Sequence, residues 1–520
     1  MTDPRRRGDR RGGRSAPRGR GCVHAQATRF LAAGLHCPGP ARDKRDGAAQ
    51  AQSDRRALND RLSSGNKRLD YILNGGLLKN AINLIVGVPG SGKTILSQQF
   101  TFANASLEHP ALYLSTLSEP LDKILRYGEG FEFFDKTAIR DGHVIYEDIG
   151  PVLGEHGLDD VLTTIDGFLK HLRPAIVVVD SFRVFHAFAT DITDFRRFLY
   201  DLTRRLTASA TTSVWNAPYT RGQALEAAEF AVADGIIALD IKQIGDREVR
   251  VLQVLKLRGS DYKSGEHAYR IATDGFHVFP RLADDLDDSP YQLDEAHTGT
   301  GIAALDQLLG DGGYWAGATT LIAGPSGIGK TLMGLHFIFQ GARANEPGII
   351  ATFQENQSQL ERVLGSFGWS LKDPNVNILH RSVVAMNIDE WVYELLDLAA
   401  QTGAKRIVVD SLVDVMSAAP DPVRFREWMF SLAQRCTRAG IGLMMIMEVP
   451  ELFQLRQISE EGISHLADNV VLLQYVQDGP ELIRALTILK TRAMRHRPVV
   501  HRYEITDKGF VLGDELTFSR

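Results

Sequence analysis

The chain has 520 residues, 44% apolar and 24% charged, with a formal net charge of −5. That length exceeds what one core needs and implies two to four domains. No apolar run approaches the ~20 residues that span a bilayer. Three cysteines (Cys22, Cys37, Cys436) show neither metal spacing nor a disulfide framework, so free thiols in a cytoplasmic protein are expected.

Residues 1–60 hold 13 Arg and one Lys against six Asp, a net of +8 that leaves −13 for the remainder. With Phe30 as its one aromatic, this segment buries too little apolar surface to offset its ordering entropy, so disorder is expected. Its longest apolar stretch, FLAAGL at 30–35, is too short for a signal peptide. A solvated tail, or residues upstream of the true start, is the simpler reading. The other is a basic arm that touches nucleic acid or another polyanion.

From residue 61 the chain reads as α/β. SSGNKRLDYILNGGL (63–77) leads into a short apolar strand, INLIVG (82–87), then the Gly-rich GVPGSGKT (87–94). A helix follows with Leu96, Phe100 and Ala103 on one stripe. ALYLSTLSEP (111–120) is a second strand and its exit. A helix over 158–172 precedes AIVVVD (175–180), whose continuous apolar run suits a parallel strand buried on both faces. VLQVL then runs into Lys256 and Arg258, whose i, i+2 spacing on a strand puts both cations on one face. The acidic, turn-rich stretch 281–297 reads as a linker.

Everything then recurs. GTGIAALDQLLGDGGY (299–314), TTLIAG (319–324), GPSGIGKT (324–331), a helix bearing Leu332, Leu335 and Phe339, IIATFQENQ (349–357), a helix over 388–402, RIVVD (406–410) and KTR (490–492) follow in the same order. Lys93 and Lys330 are 237 apart, and Lys256 and Lys490 are 234 apart. Several landmarks in one order mark a duplicated domain. The expected boundaries are 61–280 and 298–513, with 514–520 a short tail. Alternating strands and helices predict two mainly parallel sheets flanked by helices.

Both Gly-rich loops suit a triphosphate. Gly87, Gly90, Ser91 and Gly92, and in the second copy Gly324, Ser326, Gly327, Ile328 and Gly329, leave the backbone free to turn amides inward. Lys93 and Lys330 supply a point charge to the β/γ-phosphates, and Thr94 and Thr331 a hydroxyl for Mg²⁺. Asp180 and Asp410, ending buried strands, are the acids expected to hold Mg²⁺ through its water shell. A helix N-cap, with Ser181 and Ser411 following, is the alternative. Hydrolysis further needs a water-positioning carboxylate. Glu119 and Glu355 are the candidates at the strand exits, against the plainer reading of a solvated Glu. Lys256, Arg258, Lys490 and Arg492 suit charge neutralisation on a phosphoryl group, or form an exposed edge.

On these residues, and most specifically on KLRGSDYKSGEHAYRIATDGFHVFP at 256–280, the chain resembles the KaiC family of RecA-like ATPases over about residues 60–512. The resemblance implies a hexameric double ring with ATP at each subunit interface. Lys256/Arg258 and Lys490/Arg492 would then reach the γ-phosphate held by a neighbour. It also implies autophosphorylation of a Ser-Thr pair in the second domain. Here EGISHLADNVVLLQY (461–475) keeps Ser464 and has His465 in the threonine's place. The family's two adjacent glutamates become Gln354–Glu355 in the second copy and Leu117–Ser118 in the first, with Glu119 one residue late. Gln354 can orient a water but cannot take its proton. After GFVLG only DELTFSR remains, so binding of KaiA is not expected, whereas a KaiB-like partner is compatible.

Three functions compete: an ATPase and serine/threonine autokinase in a signalling ring, a scaffold assembled on ATP with slow turnover, and a RecA/RadA-like DNA protein. The body's −13 opposes tracking a phosphate backbone, which disfavours the last.

Overall fold

The computed structural model describes residues 61–117, 120–220, 222–223, 227–244, 247–285, 295–310, 312–419, 421–449, 465–492, 497–507 and 509–516. The basic segment 1–60, Glu119 and Ser464 lie outside them.

In chain order the first sheet comprises β1 (Ile82–Gly87), β2 (Ala111–Ser115), β3 (Val144–Asp148), β4 (Ile176–Asp180), β5 (Thr212–Ala217), β6 (Gly235–Ile244), β7 (Arg247–Leu257), β8 (His267–Ala272) and β9 (Gly275–Phe279). The second repeats it as β10 (Thr319–Gly324), β11 (Gly348–Thr352), β12 (Val376–His380), β13 (Arg406–Asp410), β14 (Gly442–Glu448), β15 (Asn469–Asp478), β16 (Glu481–Lys490), β17 (Val500–Thr506) and β18 (Gly509–Glu515). Across the sheets the orders are β3-β2-β4-β5-β1-β6-β7-β8-β9 and β12-β11-β13-β14-β10-β15-β16-β17-β18. The permutation is the same, as a duplication requires. Pairing is parallel up to β6 and β15 and antiparallel beyond them. Each copy is therefore a mainly parallel α/β sheet with an antiparallel wing.

The helices that matter for the site are α1 (Lys93–Ala103), α2 (Gly150–Leu172), α3 (Ala228–Val232), α4 (Lys330–Arg343), α5 (Ile388–Thr402), α6 (Leu412–Ala418) and α7 (Pro422–Arg438). The central strands are buried along their whole length, and alternate residues feed opposite cores. Leu84 and Val86 enter one layer, Ile85 the layer shared with Leu96 and Phe100. Leu321 and Ala323 face α5 and α7, while Ile322 faces α4.

Two expectations shift. Ala103 is exposed, because α1 ends there with Asn104 as its C-cap. The helix expected at 158–172 starts earlier, at Gly150, with a break at Gly157, whose φ of 78° is one that glycine tolerates.

Both copies lie in one unit, Ala57–Arg520. The wing of the first packs on α5 and α7 of the second. Ala268, Phe279 and Leu282 enter the second copy's core. Arg270 pairs with Glu390 at 2.9 Å, and Arg281 with Glu427 at 3.0 Å. Arg68 pairs with Asp397 at 2.6 Å and lies over the Tyr393 ring.

Candidate functional site

Each central strand runs straight into its Gly-rich loop, and the loop into a helix. Gly92 and Gly329 cap α1 and α4 with φ of 90° and 112°, a region costly for any side chain. A Cβ there would lie 2.5 Å from Ile271 Cδ1 or 2.8 Å from Ile505 Cδ1, because the wing closes over the loop. Ser91 and Ile328 are buried, so only their backbones are available to a phosphate. Their carbonyls accept hydrogen bonds from Tyr269 and Tyr503, each at 2.6 Å. Ser326 is exposed. Gly87 and Gly324 pass so close to the next strand that a Cβ would fall 2.3 Å from the Leu239 carbonyl oxygen or 2.5 Å from that of Leu473.

Lys93 donates to the carbonyls of Gly87 and Val88 at 2.9 and 3.0 Å, and Lys330 to that of Pro325 at 2.7 Å. Burial lowers the pKa of both ammonium groups. Asp180 opposes the shift at Lys93, and Glu448 and Asp410 oppose it at Lys330.

The structure brings each loop threonine onto its strand-end acid. Thr94 Oγ1 donates to Asp180 Oδ2 at 2.7 Å, and Thr331 Oγ1 to Asp410 Oδ2 at 2.6 Å. Ser181 and Ser411 take the N-cap positions of the helices that follow, without a side-chain capping bond to the backbone. No group of three or more His, Cys, Asp and Glu suited to a metal occurs among the described residues. A hydroxyl beside one carboxylate would suit a Mg²⁺ that takes its remaining ligands from phosphate and water.

Around these shared parts the copies diverge. Asp180 accepts a second bond from the buried Tyr113 hydroxyl at 2.7 Å. Ile350 stands in the matching place of the second copy, and burial there pushes the Asp410 carboxyl up to about 6, with Glu355 and Asp414 adding to the rise. Burial also raises the Glu355 carboxyl. Glu355 thus belongs to the acid cluster at the loop. Gln354 is exposed, and its amide donates to both oxygens of Asp414, on α6, at 3.1 Å.

The two cations of each copy are brought together by a route the spacing did not reveal. The pairing register slips at Leu255 and at Leu489, immediately before Lys256 and Lys490, as a β-bulge. Arg258 and Arg492 lie past the strand ends, so strand alternation is not what aligns them. Lys256 donates to the Phe230 carbonyl at 3.1 Å, and Arg258 to Asp234 and the Ala231 carbonyl at 3.1 and 3.3 Å. Lys490 donates to the Ala467 carbonyl at 2.6 Å, and Arg492 to Asp468 and the His465 carbonyl at 3.3 and 3.1 Å. None is at its own loop. Gly87 pairs with Leu239 and Lys256 with Ile236, which separates Lys256 from the loop by about 10 Å along the strand and about 10 Å across two strands. Lys490, paired with Val470, is offset in the same way.

Two nucleotide loops, each with a threonine–aspartate pair at the end of a parallel sheet, define a tandem RecA-like ATPase. The family model for the KaiC ATPase matches residues 62–283 and again 298–516, and the chain belongs to that family. It is 25% identical over 461 residues to the circadian clock oscillator protein KaiC of Picosynechococcus, covering 86% of this chain and 88% of that protein. It is 24% identical to the circadian clock protein KaiC3 of Synechocystis (87% and 92% covered), and 25% identical to KaiC 1 of the same genus (85% and 86% covered).

Sequence reasoning missed Tyr113, Asp414, Tyr269 and Tyr503. The two wing tyrosines carried a signal, because they are 234 residues apart, the same offset as Lys256 and Lys490.

Proposed function

We propose that the protein is a Mg²⁺-dependent ATPase that assembles into a ring of six subunits with ATP held between neighbours, and that its second domain phosphorylates Ser464. The observation that carries this reading is the position of the cations. Lys256/Arg258 and Lys490/Arg492 sit away from the loops of their own chain, so one subunit holds only part of each site and a neighbour supplies the rest.

In the second site the loop amides and Lys330 bind the triphosphate, and Thr331 with Asp410 would hold Mg²⁺, which supplies charge neutralisation on the phosphates when bound. Glu355, whose pKa burial raises, accepts the proton of the attacking hydroxyl. Arg492, bound to the carbonyl next to Ser464, ties the acceptor segment to the cation. The first domain has Leu117 in the place of Gln354. We assign it the slower role of holding ATP and the ring. The clock names of the relatives support a timing or signalling output.

Intact-mass analysis after Mg-ATP incubation, coupled to native mass, tests both halves. The expected result is one added phosphate that disappears in Ser464→Ala, on a particle of six chains. Labelling unchanged in Ser464→Ala removes that residue, and a monomer under Mg-ATP removes the ring. A persistent hexamer without labelling favours the slow-turnover scaffold, for which the diversion of Gln354 to Asp414 is the supporting observation.

A further inference from the structure

The first domain contains a buried polar cluster that the nucleotide site does not use. Glu229 is fully buried. Its Oε1 accepts from the Tyr219 hydroxyl at 2.8 Å and lies 2.8 Å from His186 Nε2. The Tyr219 hydroxyl is also 3.2 Å from His186 Nε2. Oε2 is buried and finds no donor among the described residues. An anion in that position is costly unless its partners are held in place.

The three residues come from different elements. His186 lies in the 3₁₀ helix Phe182–Phe188, just after Asp180, and stacks on Phe195. Tyr219 follows β5 and lines a cavity of about 360 Å³ beside Gly87 and Val88. Glu229 belongs to α3, five residues long. So short a helix does not hold itself in water. The next two carbonyls of α3, Phe230 and Ala231, are the ones that receive Lys256 and Arg258. The shelf carrying the cations is thus pinned by the buried carboxylate one residue before it. At the matching positions of the second copy, six after Asp410 and five before Asp468, stand Met416 and Ile463. The device belongs to the first domain alone.

We propose that Glu229, held by His186 and Tyr219, is a positioning residue that aims Lys256 and Arg258 at the γ-phosphate of the neighbouring subunit, and so makes assembly of the first ring respond to that phosphate. This rests on the ring reading above. Glu229 acts through the two cations and touches no nucleotide itself.

The test is assembly of the full chain, with Lys330→Ala silencing the second loop, measured by native mass over a protein dilution series. ADP and the β,γ-imido analogue of ATP are compared, the latter alone carrying a γ-phosphate. The parent should assemble at about tenfold lower concentration with the analogue than with ADP, close to the one charge-assisted contact that tenfold represents. Glu229→Gln should shrink that ratio to below about threefold without weakening binding of a fluorescent ADP, as should Lys256→Ala. His186→Gln, which keeps a donor to the carboxylate but loses the ring stacked on Phe195, guards against misfolding of Glu229→Gln and should lower the ratio partway. A full tenfold ratio in Glu229→Gln, or in His186→Gln where the first variant does not fold, overturns the proposal while leaving the ring reading intact. A full ratio in Lys256→Ala, or no ratio in the parent, overturns the ring reading and the proposal with it.

Discussion

Lowering the pH should loosen the second loop's support at one identifiable residue. His336 lies on α4, six residues after Lys330, and is 8% exposed. Its Nε2 accepts from the Phe510 amide at 3.0 Å, and its ring meets Trp369 edge-on with centroids 4.9 Å apart. Burial pushes the imidazole pKa down to about 4, against a backbone hydrogen bond at Gly301 that pulls it up and with Arg343 adding to the fall. The folded value lies below the unfolded value of about 6.5, so folding favours the neutral ring. The contribution to stability is therefore complete above about pH 6.5 and is lost as pH falls toward 4. A span of about 2.5 units corresponds to about 3 kcal/mol in full, of which about 2 kcal/mol is lost between pH 7.5 and 5. The assay is hydrogen exchange of the 500–515 hairpin at both pH values, corrected for intrinsic rates, beside His336→Gln. The glutamine oxygen still accepts from Phe510 but does not titrate. The opening free energy of the unmodified protein should drop about 2 kcal/mol more than that of the variant. Equal drops would refute the reasoning.

Three further outcomes are expected. Tyr503→Phe removes the hydroxyl that holds the Ile328 carbonyl and should weaken ATP binding at the second loop about fivefold, with the first loop unaffected; titration of a Lys93→Ala background reads this directly. Arg406→Met removes the side-chain donor to the Gly299 and Phe337 carbonyls and strips Glu346 of its partner. The guanidinium is 3% exposed, so the cost should be about 3 kcal/mol by urea unfolding, and a loss below about 1 kcal/mol would contradict the burial argument. Asp414→Ala frees Gln354 and should raise the rate of phosphoryl transfer severalfold at unchanged nucleotide affinity, whereas a raised KM for ATP would place Asp414 in binding instead.

The repeat, the loops and the threonine–aspartate pairs were legible because their causes are local or periodic. A phosphate cradle needs glycine where φ is positive and a lysine and hydroxyl one step on, and a strand buried on both faces needs an unbroken apolar run. The helix at 388–402 could be read for the same reason, with Asn387 as N-cap and Gly403 in the left-handed region after it. What the tertiary structure alone decided lies where chain-distant residues meet. Tyr113 sits in an apolar strand and looks like core until β2 lies beside β4 and turns its hydroxyl onto Asp180. His186, Tyr219 and Glu229 are separated by up to 43 residues and converge only through the order β4-β5-β1. The bulges at Leu255 and Leu489 depend on pairing with β6 and β15, so spacing could mark Lys256 and Lys490 as cations without saying which way they point. By itself, then, the sequence determined that this chain grips nucleotide twice. That the two cation pairs lie away from their own loops is a property of register, because hydrogen bonds between strands, and not residue types along one strand, set which ends lie together.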